Sequence, residues 1–290
     1  MTHLFCFGLG YSAGVLARRL AAKGWAISGT STTKAGAEQL RDNGYNGLIF
    51  DGKTRTRKTA AALQSATHCL LSIPPGPDGD PALRTFGDDI AACPNLSWTG
   101  YFSTVGVYGD SSGDWVDEDT EARPGSERGQ RRLDAENAWL ELGRRTGKAV
   151  AIFRLPGIYG PGRSAIEDLK SGTARRIVKP GQVFNRIHVD DIASTVEASI
   201  AMPRAGRVYN VTDDAPGPPQ DVVEFGAQLL GLPVPPDIDF ATAALSPMAR
   251  SFYSESKRVS NARIKAELGV RLAFPSYKEG LQDILRQSGG

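Results

Sequence analysis

The sequence predicts an α/β protein with a doubly wound parallel sheet and a small C-terminal lobe. Three observations carry this expectation. Apolar runs alternate with segments of helical spacing through Leu155. Those runs are continuous rather than alternating with polar residues, as strands buried on both faces must be. A glycine cluster separates the first run from the first helical segment, the arrangement that a strand–turn–helix unit requires.

Each element can be justified in order. His3–Phe7 is a short apolar run rich in aromatics, and Val15–Ala21 has helical spacing that stops at Gly24. Trp25–Gly29 reads as a strand, Ala35–Leu40 as a helix, Gly47–Phe50 as a strand and Thr59–Leu63 as a helix. His68–Ile73, Leu83–Ala92 and Ser97–Val105 continue the alternation, followed by a helix over Leu133–Arg144 and a continuous apolar strand over Ala149–Leu155. Beyond Arg154 the pattern breaks into turn clusters and proline-bearing loops around Pro180, Pro216, Pro218, Pro219 and Pro233–Pro236. A helix at Asp191–Ala201 and a strand at Arg207–Val211 interrupt them, and helices at Ala262–Leu268 and Tyr277–Leu285 close the chain. Residues 1–156 are therefore assigned to the main domain, 187–211 to a return into its sheet, and 157–186 with 212–290 to the small lobe.

The composition excludes several classes. With 290 residues, 40% apolar and 23% charged, the chain is ordinary for a globular protein. A net charge of +2 gives no argument for nucleic acid or for an anionic membrane surface. No run approaches the ~18 apolar residues of a membrane span, and no secretory leader is discernible at the start. Cys6, Cys69 and Cys93 lack metal-ligand spacing, and His3, His68 and His188 are scattered, so no metal site is expected. Cys6 and Cys69 lie in apolar strands and read as core residues of a protein kept in reducing cytoplasm.

Gly8-Leu9-Gly10-Tyr11-Ser12-Ala13 lies between the first strand and the first helix. Gly8 permits a tight turn, Gly10 permits a pyrophosphate to approach the backbone, and Ala13 permits close packing of helix on sheet. The helix N-terminus adds N–H donors and a partial positive charge. The alternative reading is a glycine turn that only packs. An acid that would bind the ribose 2′-hydroxyl of NAD is expected near the end of the second strand, but Gly29-Thr30-Ser31-Thr32-Thr33-Lys34 stands there. Ser31, Thr32 and Lys34 could hold a 2′-phosphate, which favours NADP over NAD.

Later segments resemble the extended short-chain dehydrogenase/reductase family, which includes nucleotide-sugar epimerases and dehydratases. Phe102–Gly109 resembles the family's strand that ends in Val-Tyr-Gly, and Arg154–Gly162 its Tyr-Gly-Pro-Gly turn. Asn185–Ala193 resembles its His-Val-Asp-Asp segment, and Tyr209-Asn210-Val211 the strand that follows. The resemblance implies a Rossmann domain and an NAD(P)-binding oxidoreductase of epimerase/dehydratase type. By it, Asp51 would face the adenine, Ser72-Ile73-Pro74 would line the cofactor, and Pro156 and Ile158 would lie near the nicotinamide. Of Asp190 and Asp191, one is expected to cap the following helix, and His188 to be a packed loop residue.

The chain departs from the family where tyrosine and lysine, four residues apart, normally begin the helix after the fifth strand. Arg128 occupies the tyrosine position and Arg132 the lysine position, which resembles an atypical branch of the family. Arginine stays protonated and cannot donate a proton as a tyrosine does, yet it can clamp a carboxylate or phosphate. Thr104, in the family's serine position, can bond a carbonyl oxygen, and Tyr108 could offer a phenolic proton if it points inward. Tyr253 and Lys257 repeat the four-residue spacing but stand far along the chain, and they are not expected to act as the pair. These residues point to an oxidoreductase or epimerase acting on an anionic small molecule with a non-standard proton donor. The alternative is a non-catalytic dinucleotide-binding sensor or regulatory module. Pairing into a homodimer is left open.

Overall fold

The structure is a computed structural model and describes residues 1–288. The chain runs through β1 (His3–Phe7), α1 (Tyr11–Ala22), β2 (Ala26–Ser31), α2 (Lys34–Asp42), β3 (Asn46–Ile49), α3 (Arg57–Gln64), β4 (His68–Leu71), α4 (Pro81–Ala92) and β5 (Trp98–Thr104). It continues with β6 (Trp115–Val116), α5 (Glu127–Thr146), β7 (Ala149–Leu155), β8 (Gly157–Tyr159), α6 (Ala165–Lys170), β9 (Arg176–Val178) and β10 (Arg186–His188). The last elements are α7 (Val189–Ala201), β11 (Arg207–Asn210), α8 (Pro219–Leu230), β12 (Asp237–Asp239), α9 (Pro247–Phe252), β13 (Arg258–Val259), α10 (Ala262–Leu268) and α11 (Tyr277–Ser288).

Seven strands form one sheet in the order β11-β7-β5-β4-β1-β2-β3. The pairings of β1 with β2 and β4, of β2 with β3, and of β4 with β5 are all parallel. From β1 the chain steps outward through β2 to β3, then returns to the other side of β1 as β4. The sheet therefore reverses its direction of growth between β1 and β4. In open α/β sheets, ligands bind outside the strands' carboxyl ends at such a reversal.

Local chemistry explains the elements. All five residues of β1 are buried, which fits a central strand covered on both faces. Phe5 and Phe7 alternate onto one face, with ring centroids 4.8 Å apart, and Phe7 continues to Phe86 of α4 at 5.3 Å. Trp139, Tyr101 and Ile152 extend this core under α5. Side chains cap α2, α3, α4 and α5: Thr33, Thr56, Asp80 and Ser126 each accept a backbone N–H of the first turn. On the opposite face, Glu197 of α7 receives Arg19 at 2.8 Å and Lys23 at 2.5 Å, both from α1.

The chain divides into two compact units. The first holds residues 1–104, 126–154 and 193–209, and the second 105–125, 155–192 and 210–290. These bounds differ from those drawn on the sequence in two places. Residues 105–125 cluster with the second unit, and only β11 returns to the main sheet, because β10 pairs with β8 instead. Within the second unit, β9 pairs with β12 and β6 with β13. Ile166, Leu281 and Ile284 form one of its small cores, and Ile177, Ala243 and Tyr253 another. Among the described residues no helix is long and apolar enough to cross a membrane.

Candidate dinucleotide and ligand site

The glycine turn sits at the reversal of the sheet. Gly8 has φ +82°, a conformation that glycine adopts without a steric cost. Its backbone N–H donates to Thr30 Oγ1 at 2.9 Å, and Leu9 N donates to the Thr30 carbonyl at 3.0 Å. On the other side, Ser72 N donates to the Phe7 carbonyl at 2.9 Å. The expected residues Gly8, Gly10, Ser72 and Ile73 thus emerge together from neighbouring strands. Gly10 is the N-cap of α1, and no side chain caps this helix. A β-carbon on Gly10 would meet no atom within 4 Å, so the space above it is open. Tyr11 is exposed in the first turn, whereas Ser12 and Ala13 are buried.

The next strand end carries the residues expected to choose between cofactors. Ser31 Oγ lies so close to α2 that a β-carbon on Gly36 would overlap it, and Thr33 N approaches it at 3.4 Å. Thr32 is exposed, and Lys34, 81% exposed, stands 3.7 Å from Glu38. Asp51, exposed after β3, bonds within its own loop. Its Oδ1 accepts from Lys53 N at 2.8 Å and Thr54 N at 2.7 Å, and its Oδ2 accepts from Thr54 Oγ1 at 2.8 Å. These bonds hold its pKa down at about 2, and the carboxylate closes its own loop. Pro74 is exposed beyond Ile73.

Where β5 ends, Thr104 is half-buried and Arg128 is exposed in the first turn of α5. Arg132, one turn on, is half-buried, and its Nη1 donates to the Phe102 carbonyl at 2.5 Å and to Tyr101 Oη at 3.2 Å. Nη1 is committed to β5, while Nε and Nη2 make no hydrogen bond among the described residues. Another turn on, Glu136 is 1% exposed and accepts Ser103 Oγ at 2.5 Å and Arg154 Nη2 at 2.7 Å. Arg154 Nε adds contacts at 3.1 and 3.2 Å to the two carboxylate oxygens. This buried ion pair ties α5 to β5 and β7. It sets the rotation of the helix, because Arg128, Arg132 and Glu136 lie four residues apart on one face.

The remaining expected residues belong to the second unit. Tyr108 is 3% exposed and donates its hydroxyl to Asn210 Oδ1 at 2.9 Å. In this geometry the phenolic hydrogen is engaged by Asn210. Pro156 and Ile158 are half-buried at β8, where Ile158 pairs with Ile187. Asp191 accepts Ala273 N at 2.8 Å and Phe274 N at 3.0 Å, and α7 begins earlier than expected, at Val189. His188 is fully buried between the rings of Tyr159 and Phe274. Tyr253 packs on Phe240 with centroids 4.9 Å apart, whereas Lys257 Nζ donates to the Gly109 carbonyl at 2.5 Å and to Glu255 at 2.6 Å. The two side chains serve different packing roles.

Comparison with known proteins agrees with this architecture. A structure of a functionally unknown conserved protein from Silicibacter pomeroyi DSS is 49% identical, covers 99% of both chains and superposes with a TM-score of 0.91. A Methylobacillus flagellatus protein, provisionally described as an NAD-dependent epimerase/dehydratase, is 26% identical over all of this chain and 99% of its own, with a TM-score of 0.69. DesIV of Streptomyces venezuelae, a dTDP-glucose 4,6-dehydratase solved with NAD, shares the fold at 17% identity and a TM-score of 0.75, over 98% of this chain and 96% of its own. The chain has the fold of NAD-dependent epimerases and dehydratases. Protein YeeZ of Escherichia coli K12 is 28% identical over 279 residues, covering 92% of this chain and 94% of YeeZ. No protein-family profile matches.

Thr30 and Glu136 lie outside the set of residues expected from the sequence. Thr30 ends the second strand's buried stretch, where a hydroxyl needs a partner and finds Gly8 N. Glu136 was signalled by Arg154, a charge inside an otherwise apolar strand that demands a buried acid.

Proposed function

We propose that this protein is an NADP(H)-dependent oxidoreductase or epimerase of the epimerase/dehydratase type, acting on an anionic small molecule. The observation that carries the reading is the open approach over Gly10, at a helix end with no capping side chain and beside the sheet reversal. A pyrophosphate fits there because N–H donors and a partial positive charge face the space that a side chain would otherwise fill. Gly8, Gly10, Tyr11, Ser12 and Ala13 would hold it, with Ser72, Ile73 and Pro74 alongside. When bound, the nicotinamide would supply hydride transfer. DesIV, solved with NAD, and the Methylobacillus protein support a nicotinamide cofactor.

Ser31, Thr32 and Lys34 support NADP over NAD, since none repels a phosphate and Lys34 is mostly exposed. For the substrate, Arg128 and the unused donors of Arg132 suit a carboxylate or phosphate. Thr104 would bond the oxygen of the reacting group, and the proton donor is not a tyrosine on α5. This chain thereby belongs to an atypical branch. Fluorescence titration with NADPH and NADH tests the cofactor reading. Tighter binding of NADPH is expected, and equal affinity or no binding of either overturns it. NADPH consumption with carbonyl compounds that do and do not carry a carboxylate tests the activity.

A further inference from the structure

The loop after β3 carries a cluster of cations close to the end of β2. β2 and β3 are neighbouring parallel strands, with Ser31 paired to Ile49, and Phe50 N donates to the Ser31 carbonyl at 2.9 Å. The segments that leave these strands, Thr32–Lys34 and Asp51–Lys58, therefore start side by side at the carboxyl edge of the sheet. The second segment reads Asp-Gly-Lys-Thr-Arg-Thr-Arg-Lys and carries four cations within six residues.

Those cations are not equivalent. Arg55 is neutralised by Asp89 of α4 through two bonds, at 2.8 and 2.6 Å. Lys53, Arg57 and Lys58 are exposed, and none has an acid within 4 Å among the described residues. Arg57 and Lys58 also occupy the first turn of α3, which holds no acid, although the helix dipole favours acids there. Lys34 adds a further cation from the neighbouring segment, with its contact to Glu38 at 3.7 Å and exposed to solvent. The acid on the loop, Asp51, is folded back onto Lys53 N, Thr54 N and Thr54 Oγ1, so it shapes the loop that carries Lys53. The Arg55–Asp89 pair anchors the same loop at its middle.

We propose that Lys53 and Arg57 form the second wall of a 2′-phosphate pocket whose first wall is Ser31–Lys34, so that discrimination for NADP is divided between the ends of β2 and β3. This rests on the reading of Gly8–Ala13 as a dinucleotide site. A doubly charged phosphate gains most from cations on two sides, because each charge-assisted contact uses different oxygens. Asp51 is a positioning residue for Lys53.

The test is fluorescence titration of NADPH, NADH and adenosine 2′,5′-bisphosphate against wild type and the double variant Lys53→Glu/Arg57→Glu. Arg145→Glu, at the far end of α5, serves as a charge control. The double variant is expected to bind NADPH and the bisphosphate about ten- to a hundredfold more weakly, with NADH affinity within twofold of wild type. The control should leave all three unchanged. Lys53→Gln/Arg57→Gln repeats the test should charge reversal impair folding, and Lys53→Arg should retain the preference. If wild type prefers NADPH but the double variant does so equally, the second wall is disproved while the dinucleotide reading stands. A parallel loss of NADH affinity assigns these cations to general attraction and also overturns the proposal. Wild type that binds neither cofactor removes both readings.

Discussion

Gly8 is pressed against Ile73: a β-carbon on Gly8 would lie 3.0 Å from Ile73 Cγ2 and 3.3 Å from Ile73 N. The first turn of the chain and the end of its fourth strand thus share one van der Waals surface at the sheet reversal. Gly10, two residues on, has the opposite surroundings, with open space where its side chain would be. Two glycines of one motif therefore differ, with close packing at Gly8 and open space at Gly10 that the proposed cofactor would use.

This contrast gives the first prediction. Gly10 has φ −93°, which any residue can adopt, so Gly10→Val should keep its melting temperature within a degree or two while losing NADPH binding. Gly8→Ala must hold alanine at φ +82° against Ile73 and should lose about 1–3 kcal/mol of stability. Thermal melts and cofactor titrations on both variants check this. Undiminished binding by folded Gly10→Val would make the motif a packing turn only.

Arg128 and Arg132 should separate in their effects. Arg128→Ala is expected to weaken an anionic ligand about ten- to a hundredfold, with little change in melting temperature, because the residue is exposed. Arg132→Ala should lower both, since Nη1 bonds the Phe102 carbonyl and Tyr101 Oη. Equal and silent behaviour of the two variants would refute the anion-clamp assignment.

Glu136 and Arg154 should behave as a buried pair. Glu136→Gln leaves the Arg154 charge buried without its counter-charge, and a loss of about 3–5 kcal/mol is expected. Glu136→Gln combined with Arg154→Met removes both charges and should recover much of that loss. Denaturant unfolding of the single and double variants measures the difference, and additive losses would show that the two residues act independently.

The fourth prediction concerns pH. Burial raises the Asp213 carboxyl from 3.8 to about 7, and its Oδ2 makes no hydrogen bond. The folded state then binds this proton more tightly than the unfolded chain does. Its contribution to stability is complete below pH ~4 and is lost as pH rises through about 7. Melting temperature should therefore fall between pH 5 and 8 in wild type, and Asp213→Asn should fall less and melt higher at pH 8. A wild-type profile that rises across this interval, with the variant unchanged, would contradict the assignment.

The sequence by itself determined the sheet's strands and the position of its glycine turn. β1, β4 and β7 were legible because strands buried on both faces are largely apolar, a signal carried within a few adjacent residues, and β2 and β5 as shorter apolar stretches between segments of helical spacing. The helix α8 was not legible, since its Pro218-Pro219 start reads as a loop, although proline at the first helical position costs no hydrogen bond. Helix α5 begins at Glu127, six residues before its apolar periodicity, because Ser126 caps it and the packing of its later turns holds it. Which groups meet was decided by tertiary structure alone. Arg154 finds Glu136 across 18 residues, Tyr108 finds Asn210 across 102, and Asp51 bonds to its own loop. The physical reason is that a polar side chain's partner is set by burial, which forces every donor and acceptor removed from water to find a mate. Burial depends on how distant segments pack, and no local pattern encodes it.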